Sequence, residues 1–187
     1  MSNVKTVNNL ENIMQNVKVL KITRTKEIIF VAVFTAMAVY MPMLVHYFAG
    51  VDGGRKFLPM PFFVLLAGLL LGSRAGLVTA FASASISFLL TGMPKVELLP
   101  IVTLQLAAYG FIAGLLKEKY SSLISVAGAI IFGLILTGIA VFFFSKINAV
   151  DYAASFIRDG WIGILIQIAL IPFIIKIVEV EPLREEL

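Results

Sequence analysis

Few residues in this chain have the means to do chemistry, and their types and spacing narrow what that chemistry is. Ser83, Ser87 and Thr91 follow an i, i+4, i+8 spacing and so share one helix face. Gln105 and Tyr109 stand four apart and share another; Trp161 and Gln167 belong to a later apolar stretch, and Asn148 to the polar stretch before it. Amides, hydroxyls, a phenol and an indole are groups that orient a small polar molecule in a cavity. Catalysis is poorly served. A serine nucleophile needs a base beside it, and His46 is the sole histidine. With no cysteine there is no thiol nucleophile, thiolate metal site or disulfide. No zinc-helix, nucleophile-elbow or Walker-type loop motif occurs. No carboxylate pair lies within an apolar stretch, which argues against a proton relay. The inventory points to binding, not to an enzyme, and calls for no metal and no cofactor.

These residues also have a structural reading. Serine and threonine bond back to their own helix, and glutamine bridges helices. Gln105, Tyr109 and Gln167 stand out because an unsatisfied amide in hydrocarbon is costly and both amides fall mid-stretch.

The elements that must position them are apolar helices. Of 187 residues, 60% are hydrophobic and 14% charged, against roughly a quarter charged in soluble domains; mean hydropathy is +1.00. Runs of about 20 apolar residues suit a bilayer core. Spans are expected at 28–48, 57–72, 75–93, 98–116, 122–145 and 161–175. A Gly-rich charged loop is expected over 50–56 and a polar connection over 146–160, with Trp161 at the start of the last span. This is an all-α integral membrane protein, a compact bundle of six transmembrane helices. It divides into an N-terminal segment (1–27), a membrane domain (28–178) and a tail (179–187). Leu10, Ile13, Met14 and Val17 line one side of the N-terminal segment, the pattern of an interfacial amphipathic helix.

The net charge of +4 does not indicate a nucleic-acid binder, because the basic residues are dispersed between apolar runs. They read as topology signals. With the N-terminus inside, ten of the fifteen lysines and arginines fall on inner segments, so both termini are expected in the cytoplasm. That orientation gathers Gln105, Tyr109 and Gln167 toward the outer half; Gln105 is roughly 12 Å along the helix from Glu97. Small residues repeat at four-residue spacing, Ala32 with Ala36, Gly68 with Gly72, and Gly110 with Gly114. Such faces let another helix approach closely.

Ala32-Val33-Phe34-Thr35-Ala36, the run Phe57-Leu58-Pro59-Met60-Pro61 leading into Leu66–Gly72, and Thr91-Gly92-Met93-Pro94 followed by Tyr109-Gly110 together resemble the S component of energy-coupling factor (ECF) transporters, over about residues 26–178. The resemblance implies a substrate-specificity subunit of an ABC-type importer in a prokaryotic plasma membrane. A small water-soluble vitamin or precursor would enter from outside. Its pocket would draw on Gln105, Tyr109, Gln167, Trp161, Asn148, Thr91 and Ser87, capped by the segment between the first two spans. Ala32 and Ala36 match the Ala-x-x-x-Ala motif that the family presents to its transmembrane coupling subunit. Two cytoplasmic ATPases would hydrolyse the ATP, and toppling of the subunit would carry the pocket inward. Pantothenate-like, pyridoxine-like and pyrimidine-like ligands all remain open. The competing reading is a stand-alone small-solute carrier or channel.

Overall fold

A computed structural model describes residues 23–145 and 148–185. The amphipathic pattern at 10–17 lies outside them. Six helices make up the described residues: α1 (Arg24–Phe57), α2 (Pro59–Leu71), α3 (Ser73–Thr91), α4 (Leu99–Lys117), α5 (Ser122–Phe144) and α6 (Ala149–Glu185). Six spans long and apolar enough to cross a membrane result, one of them assembled from the end of α1 and the whole of α2.

That composite span explains why the second apolar run looked short. Alone, the 13 residues of α2 rise about 20 Å, short of the roughly 30 Å hydrocarbon core. The chain turns at Gly50 (φ 67°, ψ −173°) and enters a second helical piece that ends at Phe57. Counted from Asp52 to Leu71, the span reaches 20 residues. The expected loop over 50–56 is therefore mostly helix. Gly53 and Gly54 make this fit, since a β-carbon there would run into Ala49 and His46 on the preceding turns.

Leu58 joins the two pieces in the left-handed conformation (φ 47°, ψ 52°), which for a non-glycine residue costs about 1–2 kcal/mol. Pro59 then starts α2, where its missing N–H is no loss. Phe63 through Leu71 are all buried, as expected of a helix apolar on every side. The reason is architectural. α2 packs against all five other helices, which surround it in the order α1, α3, α4, α5, α6.

On one side of α2 the backbones nearly touch. A β-carbon on Gly76 would lie 2.8 Å from Gly110 Cα, one on Gly68 3.2 Å from Gly110 Cα, and one on Gly114 2.6 Å from Ser73 Cα. Separations under 3 Å exclude any side chain, so α2, α3 and α4 cross as closely as helices can. α1 is the least covered span. Thr35, Ala38 and Val39 face inward, while Ala32 and Ala36 are exposed.

α6 also differs from expectation. It begins at Ala149, so 149–160 is helix rather than loop and Trp161 lies within the helix. Asn148 starts it: the Asn148 side-chain oxygen accepts the Val150 N–H at 2.9 Å, the N-cap arrangement that satisfies an otherwise orphaned helix donor.

Candidate functional site

The bundle has two ends. One carries the Gly72 and Lys117–Ser122 turns. The other carries the Gly50 turn, the Gly92 turn and the start of α6. The candidate residues lie toward the second end and fall into three groups by their contacts.

Gln105 and Tyr109 form the first. The Gln105 side-chain N–H donates to the Tyr109 hydroxyl at 2.9 Å, and both side chains are buried. Their i, i+4 spacing on α4 sets this pair. The Tyr109 ring lies against Gly133 of α5, where a β-carbon would collide with it. The neighbouring Thr137 hydroxyl donates to the Gly133 carbonyl at 2.7 Å.

Gln167 forms the second. Its N–H donates at 3.2 Å to the backbone carbonyl of Leu58, which lies at the helix break. Gly160 and Gly163 bring the two segments together, since β-carbons there would press on Leu58 and on the Phe57 carbonyl. Gln167 thus ties α6 to the break between α1 and α2. The carbonyl oxygens of Gln105 and Gln167 accept no hydrogen bond among the described residues, so each retains an acceptor.

The third is a cleft of about 230 Å³ walled by the end of α1 and by α6. Asp52, Arg55, Lys56, Arg158, Asp159, Trp161 and Ile162 line it. Trp161 is 54% exposed. Arg158 pairs with Asp159 at 3.1 Å, while Arg55 and Lys56 make no ion pair among the described residues.

The remaining candidates serve helix ends. The Thr91 hydroxyl donates to the Ser87 carbonyl at 2.7 Å and accepts the Met93 N–H at 3.2 Å, closing α3. Ser87 is buried beneath it, Ser83 donates to the Ala80 carbonyl, and Asn148 caps α6. Gly160, Gly163, Arg158 and Asp159 were not picked out as site residues from the sequence, because what joins them to residues 55–58 is contact across about a hundred residues. Among the described residues no group of three His, Cys, Asp or Glu is placed to hold a metal.

A family model described as the ECF transporter substrate-specific component matches residues 26–179, most of the chain. The chain belongs to this family. As an ECF substrate-specific component it is a multi-pass cell-membrane protein that binds substrate and is not an enzyme. The curated proteins and solved structures compared with it contain no match. The ECF component's six spans thus enclose a tight apolar core around α2, with the polar cleft at one end.

Proposed function

We propose that this component takes up a small water-soluble vitamin or vitamin precursor from outside the cell and delivers it inward with a transmembrane coupling subunit and two ATPases. The observation that carries the reading is the cleft between the end of α1 and α6. It is a polar recess at the end of the bundle opposite Arg24 and Glu185, and the charge bias supports a cytoplasmic side for those two helix ends. A larger groove of about 430 Å³ is lined mainly by Phe81, Leu99, Ile101, Leu104 and Ala140. It offers a water-soluble ligand little to bind.

Trp161 supplies a flat surface for a ring. Gln105, Tyr109, Asn148, Thr91 and Ser87 are assigned to the ligand as further polar contacts, and Gln167 ties down the segment that walls the cleft. The exposed Ala32/Ala36 face suits a close-packing partner helix, which we assign to the coupling subunit. Energy from ATP then comes from the partners, since the chain has no phosphate-binding loop.

The test combines mild purification with assembly. Mass spectrometry of the small molecule retained by the protein identifies the ligand. Ala32→Leu/Ala36→Leu should keep that molecule bound, fail to co-purify with the coupling subunit and lose uptake in cells. Uptake by the chain without its partners, or a variant that still assembles, would overturn the reading in favour of a stand-alone carrier.

A further inference from the structure

We propose that the ligand is a small organic anion whose carboxylate or phosphate is received by Arg55 and Lys56 while its apolar part lies against Trp161. The inference rests on the cleft being the ligand site and adds the ligand's charge and size.

Charge comes first. Three cations and two carboxylates line the cleft. Arg158 and Asp159 bond each other, which leaves Arg55 and Lys56 facing Asp52 alone. Asp52 precedes them by three and four residues on the same short helix, yet no ion pair among the described residues joins it to either. Two cations with uncommitted donors remain, one of them a guanidinium whose planar fork matches a carboxylate or phosphate. A recess walled by low-dielectric protein and hydrocarbon focuses such a field and enriches counter-ions.

The aromatic wall fits the same ligand. Trp161 sits half-exposed beside the cations, presenting a face without adding charge. An indole face also attracts cations, but a cationic ligand would have to enter against Arg55 and Lys56. Size narrows the class. A volume of about 230 Å³ has room for a small molecule with a single ring or a short chain.

The chain itself carries the reporter, because Trp161 is its one tryptophan. Full-length protein in phosphatidylcholine nanodiscs is titrated with iodide, caesium and uncharged acrylamide, and the quenching of Trp161 emission is read against a free indole. Iodide should quench more than caesium by roughly fivefold, as a positive potential of about one kT at the ring requires. In Arg55→Gln/Lys56→Gln the two ions should quench about equally, with acrylamide quenching unchanged. Millimolar nicotinate or pantothenate should suppress iodide quenching, and their neutral counterparts nicotinamide and panthenol should not.

Equal quenching by the two ions in the native chain, or a ratio that survives the double substitution, would overturn the proposal. So would a retained ligand that is neutral or cationic. If phosphatidylglycerol discs suppress iodide quenching and the soluble acids do not, the anion is a lipid headgroup and the soluble assignment fails. The underlying reading fails separately: a retained molecule whose affinity is unchanged in both Arg55→Gln/Lys56→Gln and Trp161→Ala binds elsewhere than the cleft.

Discussion

Gly68 with Gly72 and Gly110 with Gly114 carry the same four-residue small spacing as Ala32 with Ala36, and the fold treats the two sets in opposite ways. The glycines are covered by the chain's own backbone, with Gly68, Gly76 and Gly110 meeting where α2, α3 and α4 cross. The alanines stay exposed on α1. Spacing therefore reports that close approach is available, not which helix takes it. Residue type separates the two cases. Glycine admits a neighbouring backbone where any β-carbon is excluded, whereas alanine keeps a methyl group and so sets a shallower groove. The glycine face is committed to folding, and the alanine face stays uncovered by the described residues.

The sharpest way to break this contrast is to add a side chain at the crossing. A β-carbon on Gly110 would lie 2.9 Å from Gly76 Cα. No flexible side-chain tip stands there to move aside; one backbone must shift. Gly110→Ala should lower stability by about 1–3 kcal/mol, and Gly110→Val by enough to lose monodisperse protein in detergent. Thermal melting followed by size-exclusion chromatography reads both. An unchanged melting temperature for Gly110→Ala would mean the crossing is looser than these distances say.

A polar tie complements the steric contact on the other side of α2. Gln167→Leu removes the donor that the Leu58 carbonyl receives. A buried acceptor left without its partner costs about 1–3 kcal/mol. The loss should also loosen the segment that roofs the cleft. Because the chain has no cysteine, Lys56→Cys/Arg158→Cys provides two unique sites for spin labels, whose distance distribution should broaden when Gln167→Leu is added. Unaltered distances would show that Gly160 and Gly163 contacts alone hold the two segments.

What the sequence disclosed, and what it hid, follows the same division between local and distant causes. Six spans are legible because hydropathy is a local property of each run. The helix over 149–160 was legible in principle. Asn148 followed by Asp151 is a helix-start pattern, but the polar residues and Gly160 beyond it read as a connection. The helical piece before Phe57 was masked by Gly50, Gly53 and Gly54, which signal a loop until their contacts with α1 are known. Gln167 was noticed as a buried amide, yet its partner is a backbone carbonyl at a left-handed leucine, and no side-chain pattern announces one. The cleft was legible only in part: the resemblance implied a pocket with Trp161, capped by the segment between the first two spans, but Arg158 stands far from Arg55 in the chain and joins it only by packing.

A smaller effect tests the inward face of α1. Thr35 lies between Ala32 and Ala36 in sequence but is buried, and its hydroxyl finds no hydrogen-bond partner among the described residues. Thr35→Val replaces an unsatisfied buried hydroxyl by a methyl group of similar shape, a change that is near neutral or stabilises by up to about 1 kcal/mol. Melting of the purified variant measures it. A clear loss of stability would mean that the hydroxyl is bonded through a buried water, and that α1 is held to the bundle by more than apolar packing.

The smallest expected change is the one that separates the two faces most cleanly. Ala32→Leu/Ala36→Leu adds bulk to a side of α1 that is exposed among the described residues. Stability of the isolated component should stay within about 0.5 kcal/mol of the native value, as for surface sites generally. The same double substitution should abolish association with the coupling subunit. Leucine is as apolar as the lipid it faces, so neither insertion nor helix formation opposes the change. The outcome that sinks the assignment is a drop in melting temperature like that of Gly110→Ala, because it would place the alanines, like the glycines, inside the fold. Intact stability with lost assembly would instead leave shape at the partner interface as the remaining cause.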